Sequence, residues 1–158
     1  MLVSATNRHW AMGFPRRQYL LLAEHLLEHV IKLAGPEGAA EALETTGRAV
    51  AEQLLGQVRG QKENAEVTLA DIQSFLLPLM DEMGSVVDRL DSDEGSLTVQ
   101  MRNCIFYELA RVHHRIICRA HNTIFQTLAE ALGDYEAVTT SCLASGDDRC
   151  ITSIRPKS

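Results

Sequence analysis

The chain has 158 residues, 46% hydrophobic and 23% charged, with a net charge of −6 and a pI near 5.5. That length can bury a core in a single domain, 1–158, without staples, and the composition excludes a disordered or low-complexity protein. The acidic balance argues against direct nucleic-acid binding by this chain alone, and no apolar run reaches the roughly 18 residues that a membrane span needs.

Residues 1–16 read as an irregular opening segment, with Gly13 and Pro15 as breakers. Its residues MLVSATNRHWAMGF lack the apolar core of a secretory signal. A cytoplasmic location is the expectation, and thiols stay reduced there. From Arg17 the pattern becomes helical: Tyr19, Leu22, Leu26, Val30 and Leu33 recur at steps of three and four and share one face. Gly35-Pro36 should stop this helix. A second helix is predicted from about Gly38 to Gln57, with Ala39, Leu43, Val50 and Leu54 among its apolar positions. Gly47 inside it costs about 1 kcal/mol against alanine unless close packing requires it.

Residues 59–66 form a polar connector. Thr68 and Asp71 read as an N-cap and an acidic first turn. The helix that follows carries Leu69, Ile72, Phe75, Leu76 and Leu79, with Pro78 expected to kink or shorten it and Gly84 to close it. The period then changes to two. Val86–Leu90 is a predicted strand, Asp91–Gly95 a turn, and Leu97, Val99 and Met101 alternate with polar residues in a second strand. This hairpin delivers Asn103-Cys104. Helix resumes over Ile105–Val112 and again over Ile116–Leu132, ended by Gly133. A second hairpin has strands over about Ala137–Leu143 and Cys150–Ile154. The predicted fold is α+β: helices first, then two antiparallel hairpins forming one sheet packed on the long helix from about Ile116.

Four cysteines fall in the second half: Cys104, Cys118, Cys142 and Cys150. Each lies at an element end, and Cys142 and Cys150 flank one hairpin turn. Four thiolates complete a tetrahedral shell for zinc or iron, so these four are the candidate metal ligands. His121, one helical turn after Cys118, is a substitute ligand or a supporting group. Buried cysteines that merely pack are the competing reading.

The stretches Gly84-Ser85-Val86, Asn103-Cys104-Ile105-Phe106 with Leu109-Ala110, and Ile117-Cys118-Arg119-Ala120-His121 resemble the C-terminal half of iron–sulfur-responsive repressors of the suf-operon type. Phe14-Pro15-Arg16-Arg17-Gln18-Tyr19 resembles the segment that follows the winged-helix reader of those proteins. The ending, Cys142-Leu143-Ala144-Ser145-Gly146-Asp147-Asp148-Arg149-Cys150-Ile151, is similar to vinyl-reductase-like domains, a family that includes the sensor domain of phenol-responsive activators. The resemblance implies zinc held by Cys118, Cys142 and Cys150. The family's fourth ligand is a glutamate three residues before the first hairpin cysteine. Thr139 occupies that position here, which leaves Cys104, then His121, to complete the shell. Ile105 stands where the repressors carry proline, and the gap from Cys118 to Cys142 differs from theirs. Both departures favour zinc over an iron–sulfur cluster.

Other polar groups are weaker candidates. His25 and His29 share a helix face, but Glu24 and Glu28 beside them make a solvated stripe the preferred reading. His113 and His114 fall at a bend between helical pieces. Trp10, Phe14 and Tyr19 can pack the core or a dimer contact. No phosphate loop, dinucleotide fingerprint or nucleophile elbow is present, and no helix-turn-helix precedes residue 17. The expected function is a metal-binding, small-molecule sensor or regulatory domain without its own DNA reader. Its expected ligand is small and apolar or aromatic, and its expected partner is a second copy of the chain. The alternative is a small tailoring enzyme, vinyl-reductase-like or thiazoline-hydrolase-like, with a cysteine nucleophile of lowered pKa.

Overall fold

Gly35 adopts φ 73°, ψ 171°, a conformation that suits glycine and strains other residues. Pro36 then takes the first position of the following helix, where its missing N–H costs nothing. The predicted break therefore lies inside α1 (Tyr19–Gly60), which is two helical arms, 19–34 and 36–60. A computed structural model of the protein describes residues 19–61, 66–82, 84–93 and 95–157. The opening segment 1–16, with Trp10 and Phe14, lies outside the described residues.

Helix α2 (Leu69–Glu82) opens on a reciprocal cap. Thr68 N–H donates to Asp71 Oδ2 at 2.8 Å, and Asp71 N–H donates to Thr68 Oγ1 at 3.3 Å. Pro78 does not shorten it. Pro78 and Ser74 both face solvent, so the carbonyl that loses its donor is open to water, and the helix continues to Glu82. Gly84, at φ 81°, ends this stretch.

Strands β1 (Val87–Asp93), β2 (Ser96–Met101), β3 (Tyr135–Ser141) and β4 (Cys150–Pro156) form one antiparallel sheet in the order β1-β2-β4-β3. The fold is α+β, with the two predicted hairpins joined through β2 and β4. The first hairpin is longer and its turn tighter than predicted, because Gly95 at φ 83° lets the chain reverse in fewer residues. Leu97, Val99 and Met101 point inward, opposite Ile154, Thr152 and Cys150 of β4. The two predicted helical pieces after Cys104 make up α3 (Tyr107–Glu130), which kinks between them at His113, where the backbone is non-helical (φ −124°, ψ 43°).

The main core lies between the second arm of α1, α2, α3 and the sheet, and contains Leu55, Ile72, Leu76, Val99, Phe125, Leu128 and Ile154. Leu27, Ala39, Ala40 and Ile116 form a smaller core where the arms of α1 meet α3. Gly47 is buried against α3. A Cβ at Gly47 would collide with the Ala120 carbonyl oxygen and stand 3.2 Å from its carbon. Close packing thus explains this glycine. Nearby, Arg119 clasps the second arm, donating from Nε to Glu44 at 2.6 Å and from a terminal nitrogen to Glu37 at 2.7 Å. The apolar stripe of the first arm faces outward: Tyr19, Leu22, Leu26 and Leu33 are 65%, 56%, 57% and 86% exposed.

Candidate functional site: adjoining thiol and apolar chambers

Cys118 lies in α3, one turn before His121. Cys142 follows β3 immediately, after a register shift between Thr139 and Ser141 that makes Thr140 an extra residue. Such a bulge re-aims the side chains beyond it. The Cys118 and Cys142 sulfurs stand 3.6 Å apart. The hairpin tip is tied down around them. Cys142 N–H donates to Asp147 Oδ2 at 2.7 Å, Ser141 Oγ donates to the Arg149 carbonyl at 2.7 Å, and Gly146 adopts φ 99°. Cys150 opens β4, is buried, and its sulfur accepts the Leu143 N–H at 3.2 Å. Cys104 sits on the link between β2 and α3.

All four cysteines line one cavity of about 230 Å³. Phe106, His121, Asn122, Thr139 and Thr152 complete its wall. Thr139 donates to Asn122 Oδ1 at 3.0 Å and lies 2.9 Å from Thr152 Oγ1. The structure thus gathers the four predicted residues into one chamber, with His121 beside them. Among the described residues, no group of three or more His, Cys, Asp or Glu side chains forms a ready-made metal site. The thiols form one close pair with two further sulfurs on the same wall.

Burial pushes the Cys118 thiol up to about 12, reinforced by its hydrogen bond to Cys142, and pushes Cys150 up to about 11. Cys104 is raised as well, chiefly by burial. Cys142 alone is lowered. Burial opposes ionisation there too, but hydrogen bonds from Cys118, Ala144 and Ser145 outweigh it. His121 is lowered to about 4 by burial, so its imidazole is neutral at physiological pH.

A second cavity, of about 160 Å³, lies between the helices and the sheet. Val50 and Leu54 come from α1, and Leu76, Leu79 and Met80 from α2. Met101 and Cys150 supply the sheet wall, with Ile124 and Phe125 from α3 and Ser85 and residues 103–106 from the connections. The His121 ring meets Phe125 edge-on at 5.1 Å and Phe106 at 6.5 Å between centroids. The α2 contribution was invisible from sequence, since periodicity does not say which sheet face a helix covers. Phe125 had a signal: it stands four residues after His121, on the same helix face.

The other candidates separate from this region. His25 lies 3.5 Å from Glu28, and His29 Nδ1 lies 2.9 Å from the His25 carbonyl, both exposed, as a solvated stripe requires. His113 marks the bend of α3, and His114 is exposed.

The class defined by these elements is an α+β domain in which helices cover one antiparallel sheet and line, with it, two adjoining, partly open cavities. Solved structures share this fold, two of them as follows. One is the phenol-responsive sensory domain of the transcription activator PoxR with phenol, similar over 85% of this chain and 73% of that one, at 11% identity and a TM-score of 0.60. The other is a trafficking protein particle complex subunit 3 from Naegleria fowleri covalently bound to palmitic acid, similar over 88% of this chain and 97% of that one, at 13% identity and a TM-score of 0.53. At such identities the likeness is one of fold. No protein-family model and no curated protein matches the chain. Among the described residues no helix is long and apolar enough to cross a membrane.

Proposed function

We propose that this chain is a single-domain sensor or regulatory module that holds one zinc ion through Cys118, Cys142, Cys150 and Cys104 and binds a small apolar or aromatic molecule in the neighbouring chamber. The observation that carries the metal reading is the lining of one cavity by all four thiols. The chemistry fits. Zinc–sulfur bonds of about 2.3 Å at tetrahedral angles separate neighbouring sulfurs by about 3.8 Å, and Cys118 and Cys142 already stand 3.6 Å apart. A bound ion would tie the tip of the last hairpin to α3 and contribute folding energy directly. An iron–sulfur cluster is the second choice of group.

The ligand reading rests on size and lining. An apolar cavity of about 150 Å³ accepts a benzene-sized guest, and this apolar-lined, partly open one measures about 160 Å³. The phenol held by the PoxR sensory domain, which shares this fold, is a molecule of that size. The exposed leucines of the first arm of α1 supply a surface for a second copy of the chain.

Metal analysis with an absorption spectrum on anaerobically purified protein tests the reading. About one equivalent of zinc per chain, lost in Cys118→Ala and Cys142→Ala, is expected. A brown protein would replace zinc by a cluster. The enzyme reading draws on the lowered Cys142 thiol. Metal-free, natively folded protein with one rapidly alkylated cysteine would replace the sensor by that enzyme.

A further inference from the structure

The Cys118 and Cys142 sulfurs face one another at 3.6 Å, near the contact distance of two sulfur atoms. They belong to different parts of the fold. Cys118 is fixed on α3, and Cys142 leads into the short turn of 3-10 helix Leu143–Ser145 at the hairpin tip. The other two sulfurs are engaged with backbone: Cys150 accepts the Leu143 N–H at 3.2 Å, and Cys104 is held by a backbone hydrogen bond from Phe106.

A disulfide bond is about 2.05 Å long, so the two sulfurs need to close by only about 1.5 Å. Small rotations of two side chains cover that distance. Both thiols are partly exposed and line the partly open cavity of about 230 Å³. A two-oxygen oxidant can therefore reach them, and no other element has to move aside.

We infer that Cys118 and Cys142 form a peroxide-responsive dithiol that closes to a disulfide and ties α3 covalently to the tip of the last hairpin. One sulfur attacks an oxygen of hydrogen peroxide. An S–O bond forms, the O–O bond breaks, and the thiol proton leaves with the departing hydroxide as water, giving a sulfenic acid. The second sulfur attacks the first. The S–S bond forms, the S–O bond breaks, and the second thiol proton leaves with the hydroxyl as a second water. The pair gives up two electrons and the peroxide takes them, whichever sulfur reacts first. A dithiol reductant reverses the bridge by exchange. The step goes beyond the zinc-and-ligand reading and needs no metal. A bridge would also withdraw two of the four thiols from metal binding, so oxidation and metal loading exclude one another.

Peroxide treatment of chelator-treated protein tests this, followed by alkylation under denaturing conditions, mass spectrometry and peptide mapping. Two of the four thiols should escape alkylation, the unalkylated chain should lose about 2 Da, and the peptides holding Cys118 and Cys142 should be linked. Dithiothreitol should restore all four thiols. Cys104→Ser should bridge as the wild type does, and Cys118→Ser should form no bridge within the chain. Circular dichroism checks that each variant keeps its fold. Four alkylatable thiols after treatment, overoxidation without a bridge, or a link mapped to Cys142 and Cys150 would overturn the inference. The zinc content of untreated protein judges the metal reading separately.

Discussion

Thr127 is buried in α3, and among the described residues its hydroxyl finds no hydrogen-bond partner. A buried unsatisfied hydroxyl costs about 1–3 kcal/mol, whereas an apolar group of the same shape costs nothing in hydrogen bonding. Thr127→Val should therefore raise the melting temperature; a fall on calorimetric scanning would show that the hydroxyl is satisfied. His121 makes a second case. Its folded pKa, about 4, lies below the ordinary 6.5, so protonation favours the unfolded chain. The stability at stake is present above pH 6.5 and is lost as pH falls towards 4, by up to about 3 kcal/mol. Urea unfolding between those pH values should show this loss, and His121→Gln should flatten it. An unchanged slope in the variant would place the titration elsewhere. Neither effect is legible in the sequence, because both depend on what surrounds a side chain and not on its spacing.

The contact of α1 with α3 is decided at Gly47. In an open helix, replacing glycine by alanine stabilises by about 1 kcal/mol. Here the new methyl meets the backbone of Ala120, which cannot turn aside as a side-chain tip could. Overpacking of this kind costs about 1–3 kcal/mol, so Gly47→Ala should destabilise, and chemical denaturation giving a gain instead would mean that the helices separate freely. Much at the level of elements could be read in advance. Gly35-Pro36 marked the break in α1 through two independent restrictions, and the two-residue period of Leu97, Val99 and Met101 marked β2. The cysteines stood at element ends in the sequence, and the sheet and α3 bring those ends to one chamber. What could not be read was the outward turn of Tyr19, Leu22, Leu26 and Leu33. Helical spacing groups residues on one face but does not say what covers it, and Leu27 alone of that arm is buried. The kink of α3 at His113, by contrast, was legible, since it falls where the sequence pattern separates two helical pieces.

For the whole molecule, the exposed stripe bears on association. Leu22 and Leu26 lie one turn apart, each more than half exposed, and contiguous apolar surface of that kind marks interaction sites. If a second copy covers it, Leu22→Glu with Leu26→Glu should convert a dimer to a monomer in sedimentation at micromolar concentration, without lowering the melting temperature of the isolated fold. Wild-type protein sedimenting as a monomer would remove this contact from the proposal.

The strand order β1-β2-β4-β3 puts the last strand in chain order at the interior of the sheet. Each earlier hairpin strand that flanks it, β2 and β3, waits with an open edge until residues 150–156 arrive between them. Proteolytic scission in the loop before Cys150 followed by loss of the tail would thus split the sheet down its middle instead of trimming its margin. Both cavities would lose a shared wall residue in the same event, and the exposed margins would invite strand exchange between neighbouring chains.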